Sequence, residues 1–330
     1  MTETRDFTNK LASQVDDLKL DEPPEETNWN NLPSEMKEIV VREMDYITRI
    51  RFKQCSKSDN YIVESIPKHF KYVQVGIPDF EWERPPECLN SRFTIDALRI
   101  DQRGANITIT NNENLEIKHF ASDTEAYEWA CMNFNSIIFK GKVSIDEFTV
   151  FLLDYPSIPF STGSLVKVKK LSFSSLYYDN YCKWVQHFAP IVDELYFEEV
   201  DLYPEDSIDM SETFPLVLNA KSVIICNCSF YKDIVERLKA TAIHIYQMGP
   251  INLKQLIKRW IDEDYPISSA CSTAHINATE LDELTDDLDI VKRNHLVNGF
   301  NAVIRMKNGK FMHLSQDDYL IRCEITDKCK

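Results

Sequence analysis

The residues best suited to chemistry in this chain are nine cysteines and seven histidines. An odd number of cysteines spread over a long chain favours reduced thiols over a disulfide framework. Cys226 and Cys228 lie too close together for an ordinary zinc-binding pair, and no two histidines have the i, i+4 spacing of a helical metal site. We therefore predict no metal, no cofactor and no enzymatic activity. One alternative stays open, a catalytic cysteine paired with a remote histidine.

An acidic run at 280–289, ELDELTDDLD, is the strongest candidate for a cation site. It lacks the glycine and the alternating oxygen ligands of a calcium loop. Leu281, Leu284 and Leu288 instead recur at helical spacing, which predicts an amphipathic helix with a solvated acidic face. Phosphate-binding loops, nucleophile elbows and dinucleotide fingerprints do not occur in the sequence.

The charge of the chain restricts its partners. Its 330 residues include 37 Lys and Arg against 53 Asp and Glu, a formal net charge of -16. Such a surface repels nucleic acids and anionic membranes, so we predict that it binds neither and that a partner attracted by charge is basic. The sequence has no apolar run of about eighteen residues and no signal-peptide pattern, which predicts a cytoplasmic or nuclear location.

Four segments share an apolar-x-x-apolar-x-apolar pattern and begin at 168, 192, 220 and 240. They read VKKLSF, VDELYF, AKSVII and ATAIHI. The pattern resembles the strand of a leucine-rich repeat, with the usual asparagine or cysteine position degraded. Amphipathic runs separate the segments, which predicts parallel strands on one layer and helices on the other. FNSIIF (134–139) is interpreted as a weaker copy and SIDEFTVFLLDY (144–155) as one of the helices.

The end of the chain has a different pattern. Asn308-Gly309 favours a type I′ turn, and this turn would place Met306 opposite Phe311. Alternating apolar residues from Tyr319 to Ile325 predict a further strand. We expect a β-meander that caps the repeat array.

Strand alternation predicts a target-binding face on the repeats. If Leu171 and Phe173 point into the core, the residues between them point away from it, and the same register applies to every copy. Tyrosine is enriched at binding hot spots, and glutamates suit a basic partner. An alternative is that this face is covered by the meander or by the N-terminal tail. The predicted target-binding residues are Glu194, Tyr196, Glu198, Ile224, His244 and Tyr246.

Residues 28–67 predict three short helices. Met36, Ile39, Val40 and Met44 recur on one helical face after Leu32-Pro33. Asp45 is a cap for the second helix, Ser58 or Asp59 for the third, and Pro67 ends the unit. About forty residues in three helices are too few to bury an independent core, so the unit is expected to need a partner.

Residues 29–66 resemble an F-box, through Leu32-Pro33, Glu35, Ile39, Met44 and the Cys55-Ser56-Lys57 ending. The NWNNLPSEMK opening, LIKRWI (256–261) and VIRMKNGK (303–310) further resemble nematode-type F-box proteins. One departure is that Asp59 and Asn60 follow Ser-Lys, where many F-boxes have Trp.

The resemblance implies the substrate-recognition subunit of a Skp–cullin–F-box (SCF) ubiquitin ligase. Its helices would bind the Skp adaptor, and through it the cullin, while the remainder captures a protein for ubiquitination and proteasomal degradation. Two alternatives stay open: an ordinary helical subdomain, and a repeat-based module that sequesters a partner without ligase activity. The adaptor-binding residues implied are Leu32, Pro33, Glu35, Met36, Ile39, Val40, Met44, Ile47, Ile50 and Phe52.

The predicted fold class is α+β, a three-helix F-box followed by an irregular leucine-rich-repeat-like αβ solenoid with a C-terminal β-meander cap. The expected segments are a disordered acidic tail at 1–27, the F-box at 28–67, a connector at 68–92, the repeat-like domain at 93–265 and the C-terminal helix and hairpin at 266–330.

Overall fold

The structure is a computed structural model of the protein. It describes residues 28–76, 90–111, 114–151, 165–174, 178–198, 215–226, 237–246, 250–274, 285, 288–296, 299–317 and 320–329. The expected tail at 1–27 and most of the acidic run at 280–289 lie outside these residues. The chain divides into two compact units, Met1–Ile66 and Pro67–Lys330. No helix in the described part of the chain is long and apolar enough to cross a membrane.

The first unit is helical. After a 3-10 turn at Trp29–Asn31 it contains α1 (Ser34–Glu43), α2 (Tyr46–Lys53) and α3 (Lys57–Ser65). As predicted, Asp45 caps α2, because its carboxylate accepts the Thr48 backbone N–H at 2.9 Å.

The cap of α3 differs from the prediction. Ser56 takes this position, and not Ser58 or Asp59, because its hydroxyl oxygen accepts the Asp59 N–H at 3.1 Å. Asp59 is thereby placed in the first turn of α3, where its negative charge suits the helix dipole.

The core of the helical unit is small. Val41, Ile62 and Ile66 are buried, and Trp29, Met44 and Phe52 pack against them partly exposed. The Trp29 and Phe52 rings meet edge to face with centroids 4.9 Å apart. A core of this size leaves much of the apolar surface of the unit in contact with solvent.

The second unit is built on one mixed sheet of fifteen strands in its described residues. The first half of the sequence contributes β1 (Lys68–Gly76), β2 (Asn90–Ile95), β3 (Leu98–Arg103), β4 (Asn106–Asn111), β5 (Asn114–His119), β6 (Val143–Phe151) and β7 (Lys167–Ser174). The second half contributes β8 (Glu194–Glu198), β9 (Ser222–Cys226), β10 (Ala242–Ile245), β11 (Ala270–Ala274), β12 (Ile290–Leu296), β13 (Gly299–Arg305), β14 (Phe311–Asp317) and β15 (Leu320–Thr326).

Seven neighbouring strands are parallel, in the order β1-β6-β7-β8-β9-β10-β11. Each end of this parallel region continues into antiparallel strands, β2-β3-β4-β5 on one side and β15-β14-β13-β12 on the other. The predicted C-terminal meander is therefore present, and a second meander, which the sequence did not indicate, lies at the opposite edge.

Helices cover one face of the sheet. The described helices of this unit are α4 (Asp123–Ile138), α5 (Tyr178–Val185), α6 (Pro215–Asn219) and α7 (Pro250–Asp262). Phe134 of α4 contacts Phe93 of β2 with ring centroids 5.0 Å apart, and Tyr181 of α5 contacts Phe173 of β7 at 5.3 Å. We call the face that carries Phe93 and Phe173 the core face, and the other the open face.

The repeated apolar pattern forms continuous columns on the core face. Phe173, Phe197, Ile225 and Ile245 are direct cross-strand neighbours, as predicted, and all are buried. The pattern extends to two further strands. These copies are Phe70, Val73 and Val75 on β1, and Ile145, Phe148 and Val150 on β6.

Three sequence-based assignments in this region need correction. FNSIIF (134–139) is the buried end of α4 and not a strand, because Phe134, Ile137 and Ile138 share a helix face. SIDEFTVFLLDY begins with β6 and not with a helix. Residues 68–76, expected in the connector, form β1, which pairs with both β2 and β6.

The C-terminal hairpin is shifted by one residue from the predicted register. Phe311 pairs with Arg305 and not with Met306, and His313 pairs with Val303 and not with Ile304. The turn holds three residues closed by Gly309 at φ 80°, whereas a type I′ turn also requires a positive φ at Asn308, which this chain does not have.

Candidate functional site

Three aliphatic side chains on α1 form an exposed patch, the α1 patch. Met36, Ile39 and Val40 are 49%, 55% and 40% exposed, and their i, i+3, i+4 spacing places them on one side of the helix. Val41, which the prediction did not single out, is fully buried on the other side. α1 therefore has an inner apolar side that holds the unit together and an outer one that faces solvent.

The structure divides the ten predicted adaptor-binding residues. Pro33 and Glu35 are exposed together with the α1 patch. Met44 and Phe52 pack against the small core. Half-buried positions are occupied by Leu32, Met44, Ile47, Ile50 and Phe52.

A carboxylate whose burial the sequence analysis did not predict joins the 3-10 turn to α3. Asp59 accepts hydrogen bonds from the Trp29 indole N–H at 2.8 Å and from the Ser56 hydroxyl at 2.7 Å. The Ser-x-x-Asp spacing at 56–59 resembles a capping box and was the signal available for it. These bonds link the 3-10 turn to the first turn of α3.

The corner between α1 and α2 is fixed by Arg49. Its guanidinium donates to the carbonyls of Met44 at 2.9 Å and Arg42 at 2.6 Å, which are the unpaired groups at the end of α1. Beside it, burial and then the nearby Glu64 carboxylate raise the pKa of Tyr46 to about 12, so its hydroxyl stays protonated.

The predicted target-binding residues lie together on the open face. Tyr196, Ile224 and His244 are direct neighbours across β8, β9 and β10, and all three are half-buried. Glu194 and Glu198 are half-buried on the same strand and face as Tyr196, and Tyr246 is 39% exposed just beyond β10. We call these six residues the open-face patch.

The charged and polar groups of the open-face patch interact mostly with neighbouring side chains of the sheet. Glu194 lies 3.5 Å from the ammonium of Lys170. Burial, then the neighbouring Cys226 and Glu198, raise the pKa of Tyr196 to about 12, and burial raises the pKa of Cys226. Burial also lowers the pKa of His244, whose Nδ1 lies 2.6 Å from the Ser272 hydroxyl. At neutral pH the patch holds neutral rings and hydroxyls, the Glu198 carboxylate, and Glu194 in its ion pair with Lys170.

Lys170 and Cys226 belong to the face that strand alternation predicted, whereas sequence reasoning missed Ser272. Ser272 lies on β11, which continues the parallel strands as a further copy with Cys271 and Thr273 on the core face. The residues of β11 are too polar to match the apolar template. The only sequence signal for this strand was its position after LIKRWI.

The described residues contain no group of three or more His, Cys, Asp or Glu side chains that could hold a metal ion. Burial raises the pKa of Cys131 and Cys271 to about 12, so both thiols are protonated at neutral pH.

Comparison with known proteins identifies one region of the chain. Searches of curated proteins and of solved structures gave no match. The model of the F-box domain matches residues 29–71, which include α1, α2, α3 and the start of β1. F-box domains bind the Skp adaptor and, through it, the cullin of an SCF-type ubiquitin ligase. Residues 29–71 of this chain are therefore an F-box domain, which implies a role in adaptor binding.

Proposed function

We propose that this protein is the substrate-recognition subunit of an SCF ubiquitin ligase. The observation that carries the proposal is an F-box domain whose first helix exposes three aliphatic side chains. A contiguous apolar patch on a unit with so small a core is the usual mark of a protein interface. The protein would act in the cytoplasm or nucleus, where it presents its target for ubiquitination and proteasomal degradation.

The α1 patch is proposed as the centre of the adaptor interface. Met36, Ile39 and Val40 would fill apolar pockets on the adaptor, while Leu32, Pro33, Glu35, Ile47 and Ile50 flank them. Met44 and Phe52 would act through the core of the unit, because both already pack against it.

The sheet unit is proposed to hold the target on its open face, around the open-face patch. We interpret its seven parallel strands as a short, irregular array related to leucine-rich repeats, capped by the C-terminal meander. The register of the apolar columns supports this interpretation, because each strand covers the side chains of the one before it. The F-box would end near residue 67, with the sheet as a second domain.

The structure weakens the argument for a basic target. Two glutamates had suggested a basic target. Glu194 already forms an ion pair with Lys170, so only Glu198 still supports that suggestion. The proposed interface depends instead on the Tyr196 and Tyr246 rings and on Ile224.

The test is co-purification of full-length protein with the Skp adaptor. Ile39→Asp should abolish it, since a charge on the α1 patch would have to be buried unpaired in the interface. Ile191→Asp is the matched control, because Ile191 is an equally exposed isoleucine of the sheet unit. Equal recovery of the adaptor by both variants would contradict the proposal. Failure of the wild-type protein to bind the adaptor, with a target still captured, would favour a sequestering module.

A further inference from the structure

A row of hydrogen-bonding side chains crosses the open face from β10 to the C-terminal edge of the sheet. Its members are cross-strand neighbours in successive strands, and none is buried. They are His244, Ser272, Arg322, Ser315, Asn301 and Asn294. We call this set the polar row. It begins next to Ile224 and so continues the open-face patch.

Most of the polar row has no partner in the part of the chain that the structure describes. His244 and Ser272 bond to each other. The side chains of Arg322, Ser315 and Asn301 make no hydrogen bond or ion pair to any described residue, and neither does Asn294. Their N–H and O–H groups therefore point to solvent as available donors.

Cations on the open face differ in whether they have a carboxylate partner. On the open face of the parallel strands Lys170 is paired with Glu194, and in the first meander Arg92 and Arg99 share Asp101. Arg322 and Lys292 are exposed and have no carboxylate partner among the described residues. Arg322 and Lys292 thus place two positive charges, unpaired within the described residues, at this end of the sheet, in a chain with a net charge of -16.

A shallow cavity of about 230 Å³ lies within this region. Its polar lining comes from Lys292, Asn294, Asn301, His313 and Ser315, and no acidic residue lines it. Glu324 is a nearby carboxylate on this face, as the cross-strand neighbour of His313. The cavity thus presents donors and a positive charge, the combination that accepts carboxylates.

We propose that the polar row binds an extended, acidic segment of the protein target, with Arg322 and Lys292 facing its carboxylates. The proposal rests on the function proposed above and names the chemistry of the segment that the receptor recognises. Five strand spacings separate His244 from Asn294, or roughly 24 Å, which an extended segment of about seven residues would span. Apolar residues adjoining the acidic segment would lie on Tyr196 and Ile224.

The experiment measures binding of labelled peptides to the purified full-length protein by fluorescence anisotropy. The probe is a peptide of about eight residues that alternates Glu and Ser, and the matched peptides carry Gln or Lys in place of Glu. The Glu peptide should bind at least about tenfold more tightly than either, and its affinity should fall with added salt.

Three variants that each remove one charge test whether that charge strengthens or weakens binding of the Glu peptide. Arg322→Gln and Lys292→Gln should each weaken binding of the Glu peptide about fivefold, whereas Glu324→Gln should strengthen it about twofold. Lys307→Gln is the matched control, because Lys307 lies in the β13–β14 turn and is paired with Asp262. It should leave the affinity unchanged.

Equal affinity for the Glu and Gln peptides would overturn the inference, and so would equal affinities of Arg322→Gln, Lys292→Gln and Lys307→Gln. Displacement of the peptide by free glutamate at the same molar concentration would replace the extended segment by a small-anion site and would also overturn it. Adaptor co-purification on the same proteins separates the two proposals. Peptide binding without the adaptor would refute only the ligase function, and adaptor binding without the peptide would refute only this inference.

Discussion

The two units of this protein use apolar side chains in opposite ways. The helical unit buries Val41, Ile62 and Ile66 and leaves the three residues of the α1 patch exposed. The sheet unit buries its apolar columns on the core face and places mainly polar side chains on the open face. The helical unit therefore combines a small core with an exposed apolar patch, whereas the sheet unit combines an extensive apolar core with a mainly polar open face.

The difference predicts where mutations act. In the sheet unit, a core substitution should destabilise the fold, and an open-face substitution should change binding only. In the helical unit the two effects lie on opposite sides of the same short helix. The variants below test this division.

The largest effect is expected at Phe197. This residue is fully buried and stacks on Phe173 with ring centroids 5.6 Å apart. Phe197→Ala should lower the free energy of unfolding of the sheet unit by roughly 3–5 kcal/mol, because it leaves a cavity in the centre of a column. Urea unfolding followed by circular dichroism measures it, with Glu198→Ala on the opposite face as the control. A change below about 1 kcal/mol would contradict the stacked columns.

A large loss of binding is expected from the pair Leu32→Ala and Pro33→Ala. Apolar anchors of an interface often cost about 2 kcal/mol or more each when truncated, which corresponds to roughly 30-fold in affinity per anchor. Adaptor capture should be lost, while hydrogen exchange across residues 67–330 should match that of the wild-type protein. Capture of the adaptor at the wild-type level would refute the assignment of these two residues.

The buried Asp59 provides a test confined to the helical unit. Trp29→Phe keeps a ring against Phe52 but removes the indole N–H that Asp59 accepts at 2.8 Å. An under-bonded buried carboxylate should cost about 1–3 kcal/mol in the stability of this unit. Hydrogen exchange of peptides from residues 41–66 measures it, and the sheet unit serves as the internal control. Unchanged exchange would show that this bond does not hold α1 in place.

The apolar columns show how far sequence reasoning reached. Four strands were predicted correctly because each segment ends in two apolar residues two positions apart, which is the alternation of a strand. The copy on β6 was taken for a helix because Ile145, Phe148 and Leu152 also fit helical spacing. The reverse error at 134–139 has the same origin, since the i, i+3 step is common to the repeat template and to a helix.

The open-face patch was predicted from alternation alone, and its six residues do lie on one face. Alternation also placed Lys170 and Cys226 on that face, whereas Ser272 was not predicted, because it lies on β11, whose pairing with β10 only the fold defines. The same limit applies to Asp59. Its sequence position suggested a helix cap, whereas its burial depends on Trp29, thirty residues earlier.

A smaller effect is expected on target capture. Tyr196→Ala with Tyr246→Ala removes two rings from the open-face patch without changing charge. Capture of the target should weaken by about 1–2 kcal/mol, roughly five- to thirtyfold, and adaptor binding should be unchanged. Quantitative mass spectrometry of co-purified proteins, with the proteasome inhibited, measures both in one experiment. Retained capture, or loss of adaptor binding as well, would place the target elsewhere.

The smallest expected effect is a difference between the two units in how their stability responds to pH. Burial lowers the pKa of His187 and His244 below the usual 6.5, so their neutral rings stabilise the sheet unit fully above pH 6.5. This contribution is lost as the pH falls through the folded-state pKa of each ring. Residues 28–66 contain no histidine. There, hydrogen bonds from Thr48 lower the pKa of Asp45 below 3.8, so its contribution is complete above pH 3.8 and is lost only below it.

Acidification from pH 7 to 5 should therefore reduce hydrogen-exchange protection in the strands of the sheet unit, after correction for intrinsic rates, and leave α1, α2 and α3 unchanged. His187→Gln combined with His244→Gln should remove most of this loss, because an amide does not titrate in this range. His313→Gln is the matched control, since this ring lies in the C-terminal meander, away from β8, β9 and β10. Loss of protection in the helical unit at a higher pH than in the sheet unit would contradict this prediction. It would mean that the small core of the helical unit, and not the titration of buried histidine rings, determines the response to acid.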